Sequence, residues 1–198
     1  MRRLVLLVAA LSLVTCMATP AASPSAPSPT VRMDAGGNVL PPLVDEQTWG
    51  DLSARPLQLP AVAPGSECPI TSTTQLASGT GALAGSGPVY AVGNVIAYGA
   101  RQNDGIFPAK VLWAAAPEYS GPALIRGRQL DGPGAVFFSN ARRVTELRFE
   151  LDTRVRAGVS EQGWRYLPST VDVEGPGCYG MQIDGPGWTT TIVMRALA

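Results

Sequence analysis

The sequence predicts an all-β protein: an antiparallel, immunoglobulin-like β-sandwich behind a signal peptide, a disordered tether and an extended arm. Three observations predict it. From residue 68 onward, short apolar runs with period two are punctuated by glycine and proline, as strands and turns require. No stretch carries a convincing 3.6-residue apolar period, so amphipathic helices are not expected. The chain has 198 residues and 45% apolar content, enough for one domain with its own core.

The elements follow in order. Arg2 and Arg3 precede an apolar run over residues 4–14, which has signal-peptide length and is too short to span a bilayer. Leu13-Val14-Thr15-Cys16 resembles the bacterial lipobox, in which the cysteine becomes the lipidated first residue. Residues 1–16 are therefore read as a signal peptide ending in a lipidation site at Cys16, with a membrane attachment through the lipid. The alternatives are secretion with cleavage near Ala18 and an uncleaved anchor helix. Residues 17–33 are mostly Ala, Ser, Pro and Thr, which cannot offset their ordering entropy and are expected to form a disordered tether.

Residues 34–65 hold Pro41, Pro42, Pro56, Pro60 and Pro64, which forbid a long regular element. An extended arm is expected here. Leu57, Leu59 and Val62 would pack on the domain, and residues 47–54 offer at most one weak helical turn. Residues 66–198 form the sandwich. Strands are expected at 89–92 and 95–98 around Gly93-Asn94, at 110–115 with Trp113, and at 123–130 and 135–138 around a Gly-Pro turn. Residues 146–151 alternate most cleanly, with Leu147, Phe149 and Leu151 on one face. A strand near 169–174 precedes a final hairpin, 178–184 with 189–195, across Gly185-Pro186-Gly187. A small barrel or jelly roll is the alternative architecture.

After Cys16, only Cys68 and Cys178 remain. In an exported domain the simplest reading is a disulfide; two buried free thiols are the alternative. The segments RPLQLPAVAPGSECPIT (55–71), SGPVYAVG (86–93), KVLWAA (110–115), YSGPALIRGRQLDGPGAVFF (119–138), GWRYLPS (163–169) and PGCYGMQIDG (176–185) carry a resemblance. They are similar to a family of uncharacterised exported bacterial lipoproteins and secreted proteins, actinomycete-like or Chloroflexota-like, with a single β-sandwich domain. The resemblance implies that arm and sandwich form one unit, and that Cys68 and Cys178 belong to one framework. It carries no activity to transfer.

Charge and composition exclude several functions. Without the leader, thirteen basic residues face fifteen acidic ones, a net charge of about −2, which makes no electrostatic case for nucleic acid. The chain has no histidine, the commonest general base and metal ligand. Neither a serine nor a cysteine nucleophile has a histidine to activate it. No cofactor and no metal are expected. The glycine-rich stretch 79–85 lacks the Lys-Ser/Thr and helix of a phosphate loop. Asp172 with Glu174, and Glu146 with Glu150 and Asp152, are carboxylate pairs of a spacing that would serve a glycosidase. Solvated strand faces produce the same spacing routinely. A calcium site drawn from Asp172, Glu174 or Asp184 would need a denser acidic loop than the chain shows.

Arginine and aromatic residues are the better interaction candidates. Arg126, Arg128, Trp164, Arg165 and Trp188 are a candidate ligand-binding surface, since Arg and Trp are enriched where proteins bind. The competing reading puts the arginines on solvated faces and uses Trp164 and Trp188 to close the sandwich ends. The expectation is thus a non-enzymatic cell-envelope binding or accessory domain, its partner an envelope protein or polysaccharide. The alternatives are a carbohydrate-active hydrolase using Asp/Glu pairs and a purely structural envelope module.

Overall fold

Alternating side chains decide the architecture. A computed structural model describes residues 44–63, 65–75, 81–139, 143–150 and 163–198, with the backbone of two short strands, β1 (Arg32–Met33) and β2 (Val39–Leu40). Cys16 and the expected leader, most of the tether and Leu151 lie outside the described residues. Residues 31–198 form a single unit. Its elements are α1 (Glu46–Ser53), β3 (Thr73–Gln75), β4 (Ala82–Ala84), β5 (Val89–Val92), β6 (Val95–Ala97), β7 (Phe107–Ala115), β8 (Ala123–Gln129), β9 (Val136–Ser139), β10 (Arg143–Val144), β11 (Leu147–Phe149), β12 (Arg165–Val173), β13 (Gly177–Gly185) and β14 (Trp188–Leu197).

Two sheets pack face to face as an all-β sandwich. One has seven strands in the order β10-β9-β12-β7-β5-β4-β3; the other has five, β11-β8-β13-β14-β6. Ala109, Val111 and Trp113 of β7 meet Tyr179, Met181 and Ile183 of β13 in one buried cluster, each on alternate positions of its strand. Trp113 is fully buried, and its indole N–H donates to Ser169 Oγ at 2.9 Å. Leu147 and Phe149 are buried while Arg148 is exposed, as the alternation predicts.

The expected hairpin over 178–195 forms as β13 and β14, paired antiparallel from Gly177↔Ala196 to Gly185↔Trp188. Two other neighbours in sequence part company. After β5, Gly93 at φ 88° turns the chain out of the seven-stranded sheet, and β6 pairs parallel with β14 in the other. β8 and β9 likewise belong to different sheets and share only the Arg128↔Ala135 bridge at their turn. These corners make the sandwich, because a chain that stayed in one sheet could not bury its apolar face.

The arm is more structured than its prolines suggest. Residues 46–53 form a two-turn helix in place of the single weak turn expected. Asp45 is its N-cap, accepting from Thr48 N at 2.6 Å, and that bond holds the Asp45 carboxyl below the usual range. Trp49 and Leu52 cover Leu124 on the outer face of β8. Arg148 clamps the helix start, bidentate to Glu46 at 2.9 and 3.1 Å and lying 5.0 Å over the Trp49 ring. Further on, Leu59 and Val62 pack on Leu130, Val193 and the Cys68–Cys178 pair, while Leu57 stays exposed. A Cβ on Gly180 would lie 2.9 Å from Leu130, so a glycine there lets this second cluster close.

Cys68 and Cys178 are bonded, with Cα atoms 5.4 Å apart across a separation of 110 residues. The bridge pins the end of the arm to the outer face of β13; it does not join the two sheets. β13 is consequently buried on both faces along nearly its whole length.

Tyr179 should make the fold sensitive to alkali. Its phenol donates to Gly175 O at 2.9 Å and, mainly through burial, is pushed up to about 12. The ionised form is thus disfavoured in the fold relative to the open chain. Stability should be fully present below pH 10 and fall as pH rises toward 12. Denaturant midpoints measured across that range check this, and Tyr179→Phe should flatten the fall.

Candidate functional site

Four of the five residues in the candidate surface gather toward one end of the sandwich; only two of those present accessible aromatic surface. Arg126 does not face solvent, contrary to the surface reading: it is 8% exposed beneath the arm. Its Nη2 donates to Asp184 Oδ2 at 2.7 Å and its Nη1 to Ser53 O at 2.8 Å. Arg165 is buried too; its Nη2 donates to Tyr119 O, and its guanidinium lies 5.8 Å from the Phe149 ring centre. Both arginines therefore act as internal struts. Arg128 is exposed but lies further along β8, opposite Gly180.

Trp188 and Trp164 are half-buried. Trp188 packs edge-on against Tyr119, ring centres 5.4 Å apart at 79°. Its carbonyl accepts from Arg55 of the arm at 3.0 Å. Trp164 leans on Tyr90, centres 5.9 Å apart at 53°. The segment 116–119 connects these groups: Tyr119 holds Arg165 and Trp188, and Glu118 and Ala116 line a cleft with Tyr90 and Trp164.

That cleft has a volume of about 280 Å3 and is completed by Thr74, Leu83, Gly85 and Ser86. Tyr90 lies against the Gly-Ser-Gly-Pro turn. Gly87 adopts φ 80°, and a Cβ there would lie 2.2 Å from the phenol oxygen. Ser86 Oγ is fixed by Thr190 Oγ1 at 2.7 Å. Burial first, and the Glu118 charge second, hold the Tyr90 phenol above its usual range. Among the described residues the site thus has two aromatic walls, one carboxylate and hydroxyls. No arginine or lysine lines it among the described residues. Tyr90 and Glu118 were not legible as site residues, because their only signal is adjacency to Trp164 across three strands.

A broader hollow of about 680 Å3 lies on the outer face of the seven-stranded sheet, lined by Val92, Lys110, Leu112, Pro168 and Thr170. Among the described residues it carries one charged side chain, and its Ser139 and Ser169 hydroxyls are already bonded to Asp172 and Trp113. The carboxylate pairs are engaged elsewhere. Asp172 is 2% exposed and accepts from Ser139 Oγ at 2.6 Å and Arg143 Nε at 3.0 Å. Glu174 accepts from Ala135 N at 3.3 Å, and Glu146 from Ser53 Oγ at 2.6 Å. Asp184 is fully buried among Arg126, Gln182 and Thr189 donors, so it is a structural anchor and not a calcium ligand. Compared with protein-family models, curated proteins and solved structures, the chain finds no match in any of the three.

Proposed function

We propose that the protein is a non-enzymatic binding module of the cell envelope, exported and held at the outer face of the membrane by a lipid on Cys16. The observation that carries the binding reading is the cleft of Tyr90, Trp164 and Glu118 beside a glycine turn. The engagement of Asp172, Glu174 and Glu146 in hydrogen bonds with the fold argues against the hydrolytic alternative. The Cys68–Cys178 bond suits an oxidising compartment outside the cytoplasm. The lipobox-like Cys16 and the resemblance to exported bacterial lipoproteins support the same placement.

Cell fractionation and a binding assay test this together. The full chain should sediment with membranes, and Cys16→Ser should release it. Full-length protein in detergent should be retained on insoluble envelope polysaccharide or by extracted envelope protein. Trp164→Ala should reduce that retention several-fold, and no reducing ends should appear. A free N-terminus at Ala18 or later would remove the anchor. Sugar release abolished by Asp172→Asn would replace the binding reading with a hydrolase.

A further inference from the structure

We infer that the cleft between Tyr90 and Trp164 binds an organic ammonium group, with Glu118 as its counter-ion. This rests on the binding-module reading and deepens it.

The shape of the walls favours a cation over the face of a neutral sugar. A sugar ring stacks best on one flat, open aromatic surface. Here the two rings meet at 53° with centres 5.9 Å apart, so they form a V and not a platform. A compact ammonium at the mouth of a V can lie against both rings within about 6 Å of each centre, the range over which the ring quadrupole attracts a cation. Desolvation by Leu83, which is 3% exposed at the base, strengthens that attraction.

The charge points the same way. Among the described residues, Glu118 is the one carboxylate lining the cleft and no basic side chain shares the lining. Its field reaches the Tyr90 phenol, which it helps to keep protonated. The phenol and the Ser86 and Thr74 hydroxyls can accept from a primary ammonium or stand beside a methylated one. The missing side chain of Gly87 gives the Tyr90 ring room to lie against the turn, and the ring already packs on Trp164 without a ligand, which lowers the ordering cost of binding. At about 280 Å3 the cleft falls below the range that encloses a drug-sized ligand. It therefore takes a head group, and the body of the ligand remains outside. An amino sugar, a peptide amine and a quaternary lipid head group share this chemistry.

The test is a titration of the full-length protein, following the Trp164 indole N–H by NMR. Tetramethylammonium, glucosamine and N-acetylglucosamine are the probes. Tetramethylammonium or glucosamine should shift the Trp164 signal, and N-acetylglucosamine should not. A response to the first alone identifies a methylated head group; a response to the second alone identifies a primary amine. Glu118→Gln should weaken binding about three- to fivefold, the scale of one exposed ion pair, while leaving the melting temperature unchanged because Glu118 is exposed. Tyr90→Phe should keep most of the affinity. Equal binding of N-acetylglucosamine, or an unchanged affinity in Glu118→Gln, overturns the inference and leaves a neutral-sugar module. No response to any probe, with envelope retention intact, overturns the inference alone. Loss of both overturns the binding reading as well.

Discussion

Asp184→Ala should cost about 3–5 kcal/mol of stability, the range for removing one partner of a buried ion pair. The carboxylate has no solvent exposure and is held by Arg126 Nη2 at 2.7 Å, Thr189 Oγ1 at 2.7 Å and Gln182 Nε2 at 2.9 Å. Arg55 stands 3.8 Å away. Without the carboxylate, the Arg126 guanidinium would remain under the arm with its charge uncompensated. The loss would extend to the arm itself. Gln182, which also holds Asp184, accepts from Gln58 N at 2.5 Å and donates to Pro56 O at 3.1 Å. A domain of this size has about 5–15 kcal/mol in total, so the variant should be close to unfolding. Urea denaturation of the wild type, Asp184→Ala and the double variant Arg126→Met/Asp184→Leu decides the matter. The double variant should be markedly more stable than the single, because both charges leave together. A single-variant cost below about 1 kcal/mol, the level of an exposed pair, would mean that water reaches the site.

Loss of the Cys68–Cys178 bond should be the second large effect. The bond closes a loop of 110 residues. The chain-entropy model assigns roughly 4–5 kcal/mol to a loop of that length. Cys68→Ala/Cys178→Ala also removes the centre of the small cluster of Leu59, Val62, Leu130 and Val193. The midpoint of denaturation should fall sharply, and residues near Leu59 should become the first point of protease cleavage. The 47–54 region should resist longer, because α1 has its own contacts through Trp49, Leu52 and Arg148. An oxidised wild type no more stable than its reduced form would show that packing alone holds the arm.

Much of the site was hidden from the sequence for a definable reason. Arg126 and Arg128 sit two apart on β8 and share a face, and alternation says no more than that. Whether the face meets water depends on what lies over it. Ser53 covers Arg126 from 73 residues away, while Arg128 remains exposed. Asp172 and Glu174 read as a solvated or catalytic pair, but Ser139 from the adjacent strand β9 and Arg143 from β10 beyond it close on the first of them. Trp164 carried its own signal as an aromatic beside arginine. Tyr90 and Glu118 carried none, since β5, the segment after β7 and the start of β12 meet only when the seven-stranded sheet forms.

The sequence by itself determined the fold class, because period-two alternation with Gly and Pro punctuation admits sheets and little else. It also determined the alternating faces of β11, the final hairpin and the two cysteines available for pairing. Only the tertiary structure decided which sheet each strand joins, since β5 and β6 alternate alike yet separate at Gly93. It decided as well that the outer face of β13 is an interior, sealed by the arm, the disulfide and the Arg126–Asp184 pair. Local periodicity records which side chains point the same way along one strand. What that side faces is set by contacts between residues far apart in the chain, and no local pattern encodes them.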